Sequence, residues 1–334
     1  MKLSIIITSF NTRVLLKECL TSLKHSQDKL EKEIIVVDNA SEDGSPEMIK
    51  THFKEVKLLK STRNLGYGRA NNLGLKHATG EYILFLNSDT FVPPQTLGYM
   101  AEFMASHPDV GVATCQLQLP QGGLDPASHR GFPTPWASFT FFVGLERLFP
   151  RSQLFGQYHQ GWKNLEATHE IDTPAGAFYL TRKKILRKVG GFDEQFFIYA
   201  EDIDLSLRIK KAGWKIVFVP IVSVMHLKKR SGRLYNGNKP YTLDFSQGKE
   251  AQLRRRRSSV AGVGRKPLAL ARGDRPKGVG ESHAPKADSV RQNTSAHFFS
   301  TMKLFYDKHY RHRYSFLTRW LVLIGIWLIS RIKK

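Results

Sequence analysis

Short apolar runs alternate with segments of helical periodicity over the first 115 residues. The runs 34–37 and 82–86 are apolar at consecutive positions, as expected of strands that are covered on both faces. This βαβα rhythm predicts an α/β fold with a mostly parallel central sheet flanked by helices. The predicted elements are strands at 3–8, 33–38, 56–60 and 82–87 and helices at 15–24, 46–53, 69–77 and 94–106.

The periodic pattern is interrupted at 120–170, a stretch rich in Gly, Pro and aromatic residues. We interpret this stretch as an excursion of the chain close to a substrate. Regular patterns then return. They predict strands at 177–181, 214–219 and 222–226 and helices at 182–189 and 200–212.

Charge is distributed unevenly along the 334 residues. The net charge is +22, but residues 1–227 carry only +3 and residues 228–334 carry +19. A basic field at one end favours contact of that end with an anionic membrane or another polyanion. It does not indicate a nucleic-acid-binding domain in the near-neutral remainder. The hydrophobic content of 41% excludes wholesale disorder.

The basic part divides into three predicted segments. Residues 228–245 extend a catalytic domain at 1–227, and 246–297 lack Phe, Trp and Tyr, so we predict a disordered basic linker or insertion. Residues 298–334 form a predicted helical, membrane-associating segment. Its apolar run 320–329 is too short to span a bilayer and is flanked by bases, which is typical of an interfacial anchor. A core or dimer helix is the alternative.

Two cysteines far apart in the chain, Cys19 and Cys115, argue against a disulfide framework or a Cys-based zinc site. The amino-terminal apolar run reaches polar residues too early for a signal peptide. We therefore expect a reducing, cytoplasmic environment.

Polar residues follow two of the predicted strands, where ligands of open α/β sheets bind. Asp38 and Asn39 end one strand, and either bind a ligand or cap the next helix. Asn87 and Asp89 end another and offer oxygen ligands suited to Mg²⁺ or Mn²⁺. The Gly-punctuated loop at 64–74 contains Arg69, a base able to meet phosphate oxygens.

These motifs, in this order and spacing, resemble the family 2 glycosyltransferases of the GT-A fold, and in particular the rhamnosyltransferase-like branch. The resemblance covers residues 3 to about 226. It includes the stretches at 4–11, 37–45 and 86–90, Asn64-x-Gly66-x-x-Arg69, Gly190-Gly191-Phe192-Asp193-Glu194 and Glu201-Asp202-x-Asp204-Leu205. It implies a nucleoside-diphosphate sugar donor, a divalent metal ion and transfer with inversion.

The resemblance also implies roles for single residues. Asp202 is the expected general base, and Asp89 and His226 are expected to bind the metal. Glu201 is expected to contact the acceptor or to orient Asp202. Trp214 is expected to stack on a sugar of the acceptor, with a place in the core as the equal alternative. Asn87 replaces the first acid of the family's metal motif, and His226 has a structural role as its alternative. The expected nucleotide-sugar-binding residues are Thr8, Phe10, Asp38, Asn39, Asn64, Arg69, Asn87 and Gly176.

Three functions compete at this point. The first is an inverting glycosyltransferase that adds a sugar, such as L-rhamnose or a related hexose, to a lipid-linked saccharide during cell-surface polysaccharide synthesis, at the cytoplasmic face of the membrane. The second is a polyanion- or nucleic-acid-binding protein that retains an inactive GT-A domain. The third is a nucleotidyltransferase, which would need two acids for paired metals where the strand end at 87–89 supplies one.

Overall fold

The computed structural model describes residues 1–227, 287–311 and 313–315. The strands are β1 (Lys2–Ser9), β2 (Glu31–Asp38), β3 (Lys57–Lys60), β4 (Tyr82–Asn87), β5 (Thr90–Phe91), β6 (Val110–Gln118), β7 (His169–Glu170), β8 (Phe178–Arg182) and β9 (Lys215–His226). The helices are α1 (Arg13–Lys24), α2 (Ser45–His52), α3 (Tyr67–His77), α4 (Thr96–Ser106), α5 (Pro135–Phe142), α6 (Leu145–Leu148), α7 (Lys183–Val189), α8 (Glu201–Lys211) and α9 (Ala287–His309). A 3₁₀ turn covers Pro126–Ser128.

The strands of the described ranges form a single mixed sheet in the order β3-β2-β1-β4-β8-β6-β9-β5, with β7 paired to β9. The first four strands of this order are parallel, because each is connected to the next along the chain through a helix. Strand β8 runs antiparallel between β4 and β6. The predicted α/β fold with a mostly parallel central sheet is confirmed.

Helices cover both faces of the sheet. Along β1, Ile5 and Ile7 point into the core that α1, α2 and α4 close, whereas Ile6 points into the core beneath α7 and α8. This alternation is why the strand is apolar at every position. Helix α3 approaches β1 closely at Gly74, where a Cβ atom would lie 2.5 Å from the Ile6 side chain.

Two features of the middle of the chain differ from the sequence prediction. The strands predicted at 214–219 and 222–226 are one twelve-residue strand, β9. Its register against β6 shifts between Cys115 and Gln116, so a bulge, and not a strand end, produces the break in the pattern. The excursion at 120–170 contains α5 and α6, two short helices that the sequence did not predict.

Helix α9 packs on the outer face of α8. It begins at Ala287, so its first eleven residues, 287–297, belong to the stretch predicted to be a linker. Phe305 and Tyr306 of α9, together with Tyr310, form a small apolar core with Ile203 and Leu207 of α8. Helix α9 therefore packs on the helix that begins with the predicted catalytic acids.

A buried ion cluster joins the same two helices. Asp204 of α8 is fully buried, accepts a hydrogen bond from Arg208 of its own helix, and also accepts bonds from Lys308 and His309 of α9 at 2.7 Å each. Burial opposes ionisation of Asp204, but the bond from His309 and the charges of Arg208 and Lys308 lower its pKa to about 2.

Among the described helices, none has the length and apolar character needed to cross a bilayer. The predicted extension at 228–245, most of the predicted linker and the apolar run at 320–329 lie outside the described residues. Both cysteines are free and buried.

Candidate active site

The carboxyl ends of three parallel strands bring the first predicted residues together. In the pairing of β1 with β2, Ser9 lies opposite Asp38, and in the pairing of β1 with β4, Thr8 lies opposite Asn87. Thr8, Asp38 and Asn87 therefore share one edge of the sheet, as the sequence predicted from the strand-end rule.

Asp38 is almost completely buried and is only partly satisfied. Its Oδ2 atom accepts a hydrogen bond from the Ser41 backbone N–H at 3.0 Å, whereas its Oδ1 atom has no hydrogen-bond partner. The buried hydroxyl of Thr8 has no partner either. Because buried polar atoms in proteins nearly always have a partner, these two atoms fit a polar ligand such as the edge of a nucleotide base.

The loop that leads into α3 is held by Asn39. The Asn39 side chain accepts a hydrogen bond from the Leu65 N–H and donates one to the Gly66 carbonyl, both at 3.1 Å. Asn64 in turn accepts a bond from the Gly66 N–H at 2.9 Å. Both amides, predicted to bind the nucleotide sugar, thus fix the conformation of this loop in the structure.

Gly66 is required by this loop for two reasons. Its φ angle is +79°, which disfavours residues with a side chain, and a Cβ atom would lie 2.3 Å from the Phe197 carbonyl oxygen. The same carbonyl accepts the Tyr67 backbone N–H at 2.8 Å. The loop is therefore attached to the segment that precedes α8.

Arg69 lies on a surface cavity of about 290 Å³, which it lines together with Asn64, Glu194 and Phe197. The guanidinium donates to the Glu194 carbonyl at 3.1 Å and lies 3.7 Å from the Glu194 carboxylate. Arg69 is half exposed, so an incoming phosphate can compete for it.

A histidine lies between two carboxylates at the end of β9. His226 Nδ1 donates to Asp125 Oδ2 at 2.9 Å, and His226 Nε2 lies 3.4 Å from Asp89 Oδ1. Burial opposes the charged form of His226, but the nearby carboxylates of Asp125 and Asp89 raise its pKa to about 9. Asn87 reaches the same ring, with its amide nitrogen 3.5 Å from Nε2.

This cluster fits a divalent cation that is shared with a ligand. Asp89 Oδ1 is buried and has no hydrogen-bond partner, and the carboxylate of Asp125 fixes the imidazole so that Nε2 faces Asp89. No group of three or more acidic, His or Cys side chains is arranged to hold a metal ion within the described ranges. Mg²⁺ and Mn²⁺ commonly take one or two protein ligands and complete their shell with phosphate and water.

The predicted base, Asp202, is held at the start of α8. Its Oδ2 atom accepts hydrogen bonds from Arg130 at 2.9 Å and from the Gly176 N–H at 3.2 Å. Arg130 also donates to the Pro174 carbonyl at 3.1 Å. Burial opposes the charge on Arg130, but Asp202 raises its pKa, so the guanidinium stays charged.

Glu201 and Tyr67 connect this carboxylate to the rest of the site. Burial and the neighbouring Asp202 raise the pKa of Glu201, and its Oε2 atom is buried without a partner. Tyr67 donates to the Gly176 carbonyl at 2.8 Å. Burial and the charges of Glu201, Asp202 and Asp89 raise the pKa of Tyr67.

Two of the predicted residues lie differently from the others. Trp214 immediately precedes β9, whereas His226 is the last residue of β9, twelve positions later. The two residues therefore lie at opposite ends of the strand, roughly 35 Å apart. Lys184 covers its ring, and Trp214 packs against the core. Its position agrees with the alternative role in packing and not with contact to the acceptor. Phe10 is 38% exposed beyond the end of β1.

Sequence reasoning missed Asp125, Arg130 and Tyr67. The first two lie in the Gly- and Pro-rich excursion, whose lack of periodicity hid them. The available signal for these two residues was the presence of an acid and a base, Asp125 and Arg130, in a stretch that is otherwise poor in charge. Tyr67 lies in the Gly-punctuated loop, where the sequence indicated only Asn64 and Arg69 as ligand-binding residues.

Comparison with known proteins places this arrangement in a family. The family model described as Glycosyl transferase family 2 matches residues 4–189, more than half of the chain. The N-acetylglucosaminyl-diphospho-decaprenol L-rhamnosyltransferase of Mycobacterium tuberculosis (strain ATCC 25618 / H37Rv) is 29% identical over 210 residues, 59% of this chain and 67% of the relative. Rhamnosyltransferase WbbL of Escherichia coli (strain K12) is 27% identical over 241 residues, 69% of this chain and 85% of the relative.

The chain is also similar to a solved structure, that of S. aureus TarS. The TM-score is 0.49 at 22% identity, and the match covers 68% of this chain and 37% of TarS.

Proposed function

This chain belongs to glycosyl transferase family 2, and we propose that it is an inverting glycosyltransferase. The proposed donor is a nucleoside-diphosphate sugar that carries L-rhamnose or a related hexose. The proposed acceptor is a lipid-linked saccharide of cell-surface polysaccharide synthesis, met at the cytoplasmic face of the membrane. The activities of the Mycobacterium tuberculosis and Escherichia coli relatives support the sugar, and the activity of the first also supports a diphospho-polyprenol acceptor.

The observation that carries this proposal is the placement of Asp202. The carboxylate lies at the amino end of α8, between Arg130 and the Gly176 N–H, and Tyr67 donates to the carbonyl of the same glycine. A base on one side of the anomeric carbon and a cation site on the other are what in-line displacement with inversion requires.

The two adjacent acids at the start of α8 are suited to different tasks. Arg130 keeps a positive charge beside Asp202, which is thereby available as the carboxylate that accepts the proton of the acceptor hydroxyl. Burial favours the neutral form of Glu201, whose unpartnered oxygen can bond a second acceptor hydroxyl. Two carboxyl groups with environments that separate their pKa values are typical of acid–base sites.

The donor is bound by residues at the carboxyl ends of the parallel strands and by Arg69 of α3. Asp38 Oδ1 and the Thr8 hydroxyl take the base, and Arg69 exchanges Glu194 for the diphosphate. A divalent cation held by Asp89 and His226 would offset charge on the diphosphate as it leaves. Gly176 has no side chain, and a Cβ atom there would lie 2.8 Å from the Tyr67 hydroxyl, so this glycine lets the phenol approach the backbone beside Asp202.

Transfer from a panel of nucleoside-diphosphate sugars to a soluble lipid-free acceptor, with Mn²⁺, tests the function. Asp202→Asn should lower turnover by roughly 10²-fold or more while the nucleotide raises the melting temperature as in the wild type. Glu102→Gln, an exposed change on α4, is the control. Near-normal turnover of Asp202→Asn refutes the base assignment. Polyanion binding without any response to nucleotide sugars supports the inactive-domain alternative.

A further inference from the structure

Helix α5 exposes its aromatic residues and buries its small ones. Trp136 and Phe139 are 40% and 51% exposed, whereas Ala137 and Thr140 are fully buried. A surface helix of a soluble domain shows the opposite pattern, with apolar side chains inward. The outward aromatic residues therefore call for a partner that is not part of the described chain.

The exposed side chains form one continuous surface. The ring of Trp136 lies 5.7 Å from that of Phe139 and 6.2 Å from that of Phe155, which lies 5.5 Å from Phe149. Trp136 Nε1 donates to the Leu154 carbonyl at 2.7 Å, so the surface is fixed and not a loose loop. We name it the aromatic face, and it consists of Trp136, Phe139, Leu148, Phe149, Leu154 and Phe155.

The exposure of this face is high for large apolar side chains. Leu148 is 71% exposed, and Phe149 and Leu154 are 51% and 55% exposed. Contiguous apolar surface of this kind marks an interaction site on soluble domains. Trp and Phe together are the residues that favour the boundary between lipid headgroups and acyl chains.

The charge around the face matches an anionic surface. Residues 131–165 contain the bases Arg147, Arg151 and Lys163 and a single acid, Glu146. Glu146 is buried and accepts a bond from the His159 N–H, so its charge does not face outward. Arg147 and Arg151 are exposed and flank the exposed Leu148 and Phe149 in the sequence. Basic residues beside inserted apolar ones strengthen binding to anionic lipid.

The last described residues lie close to α5. Phe132, three residues before α5, packs against the core that contains Phe305 and Tyr306 of α9 and Tyr310, which follows this helix. The structure describes the chain as far as Ser315. The sequence that follows brings an apolar run, 320–329, with Arg and Lys on both sides. The sequence thus carries a second membrane signal, and one signal alone gives marginal binding.

The face is also near the proposed base. Arg130 bonds Asp202 and precedes Trp136 by six residues, which places an upper limit of about 22 Å on their separation along the chain. We propose that the aromatic face docks on the surface of an anionic lipid bilayer and holds Asp202 close to lipid-linked saccharides. The acceptor in this statement rests on the proposed function, whereas docking is measurable without any transfer.

Environment-sensitive labels on the full-length chain test the docking directly. Phe139→Cys and Leu148→Cys place a nitrobenzoxadiazole label on the face, and Ile221→Cys places it on an equally exposed residue of β9. The two native cysteines are buried and have raised pKa values, so they do not take the label. The probe surfaces are vesicles of phosphatidylglycerol, and of phosphatidylcholine for comparison.

On phosphatidylglycerol vesicles we expect labels at 139 and 148 to shift to the blue and to be quenched at least twofold by a shallow nitroxide lipid, while the label at 221 does not change. If the protein sediments with these vesicles and the labels at 139 and 148 do not respond, other segments make the contact and the proposal is wrong. If the labels at 139 and 148 shift to the blue without lipid when the protein concentration is raised, a second copy of the chain is the partner, and the docking proposal is also wrong.

Partitioning of unlabelled variants gives a second measurement. The double variant Phe139→Ser, Leu148→Ser should bind phosphatidylglycerol vesicles at least tenfold more weakly in high salt, where screening removes much of the charge contribution. Ile221→Ser should bind as the wild type does. Transfer to a soluble acceptor should be unchanged in the double variant. Absence of transfer in the wild type contradicts the proposed function, and equal partitioning of all variants contradicts the docking.

Discussion

Neutralising Asp204 should loosen the attachment of the carboxyl-terminal helix. This carboxylate is fully buried and accepts bonds from Arg208, Lys308 and His309. The substitution Asp204→Asn keeps the size of the side chain and removes its charge. Three donors then face a neutral amide, and two of these donors belong to α9. We therefore expect the loss of stability to be concentrated at the contact between α8 and α9.

The magnitude follows from the pKa. Lowering the pKa of Asp204 from 3.8 to about 2 corresponds to about 2–3 kcal/mol of stability in the ionised state. Because the pKa of the folded state is below that of the unfolded state, this contribution is complete above about pH 5 and is lost as the pH falls through 2. At pH 3 about half of it remains. Removing one member of a buried ion pair costs about 3–5 kcal/mol, which sets the upper limit.

Urea unfolding of the wild type and Asp204→Asn at pH 7 and pH 3 measures both values. We expect a difference of at least about 2 kcal/mol in the free energy of unfolding at pH 7, which shrinks by about half at pH 3. Asp109→Asn is the matched control, because Asp109 pairs with Lys215 on the exposed surface, where ion pairs contribute little. Equal unfolding midpoints of Asp204→Asn and the wild type at pH 7 would refute the reasoning.

Three further predictions concern the site and the core. Asp125→Asn should weaken Mn²⁺ binding about 10–100-fold, because the amide bonds Nδ1 of the imidazole in the wrong tautomer. His226→Ala should have a similar effect and Asp89→Ala a larger one. Mn²⁺ titration followed by electron paramagnetic resonance checks this, and unchanged affinity contradicts it. Gly66→Ala should fail to fold or lose several kcal/mol, since its Cβ would meet the Phe197 carbonyl; the melting temperature decides. The two cysteines should not react with a thiol reagent until urea unfolds the chain, and rapid reaction of the native protein would show that they are accessible.

The sequence predicted the parallel half of the fold well, because its strands and helices are each specified by local periodicity. Strand β4 was predicted with its observed limits, Tyr82–Asn87. Periodicity failed where the structure depends on distant partners. Strand β6 was not predicted, and its pairing with β8 and β9 joins segments far apart in the chain. The bulge in β9 depends on the register against β6, which no local pattern contains.

The candidate site was predictable where a residue follows a strand and not where it enters from an irregular segment. Asp38, Asn87 and Asp89 could be located because parallel strands end at one edge. Asp125 and Arg130 reach His226 and Asp202 across 101 and 72 residues. Such contacts are set by the tertiary structure of the excursion, and the sequence gives residue types there without their positions.

The ion cluster of Asp204 has a consequence for the order in which the chain is made. Lys308 and His309 follow Asp204 by 104 and 105 residues. At 5–20 residues per second, the ribosome needs about 5–20 s to add them after Asp204 has been added. During this interval α8 can form, but its buried carboxylate has only Arg208 as a partner. The predicted catalytic helix is therefore completed last, and a nascent chain that stops before residue 308 contains the proposed base Asp202 on a helix without its outer support.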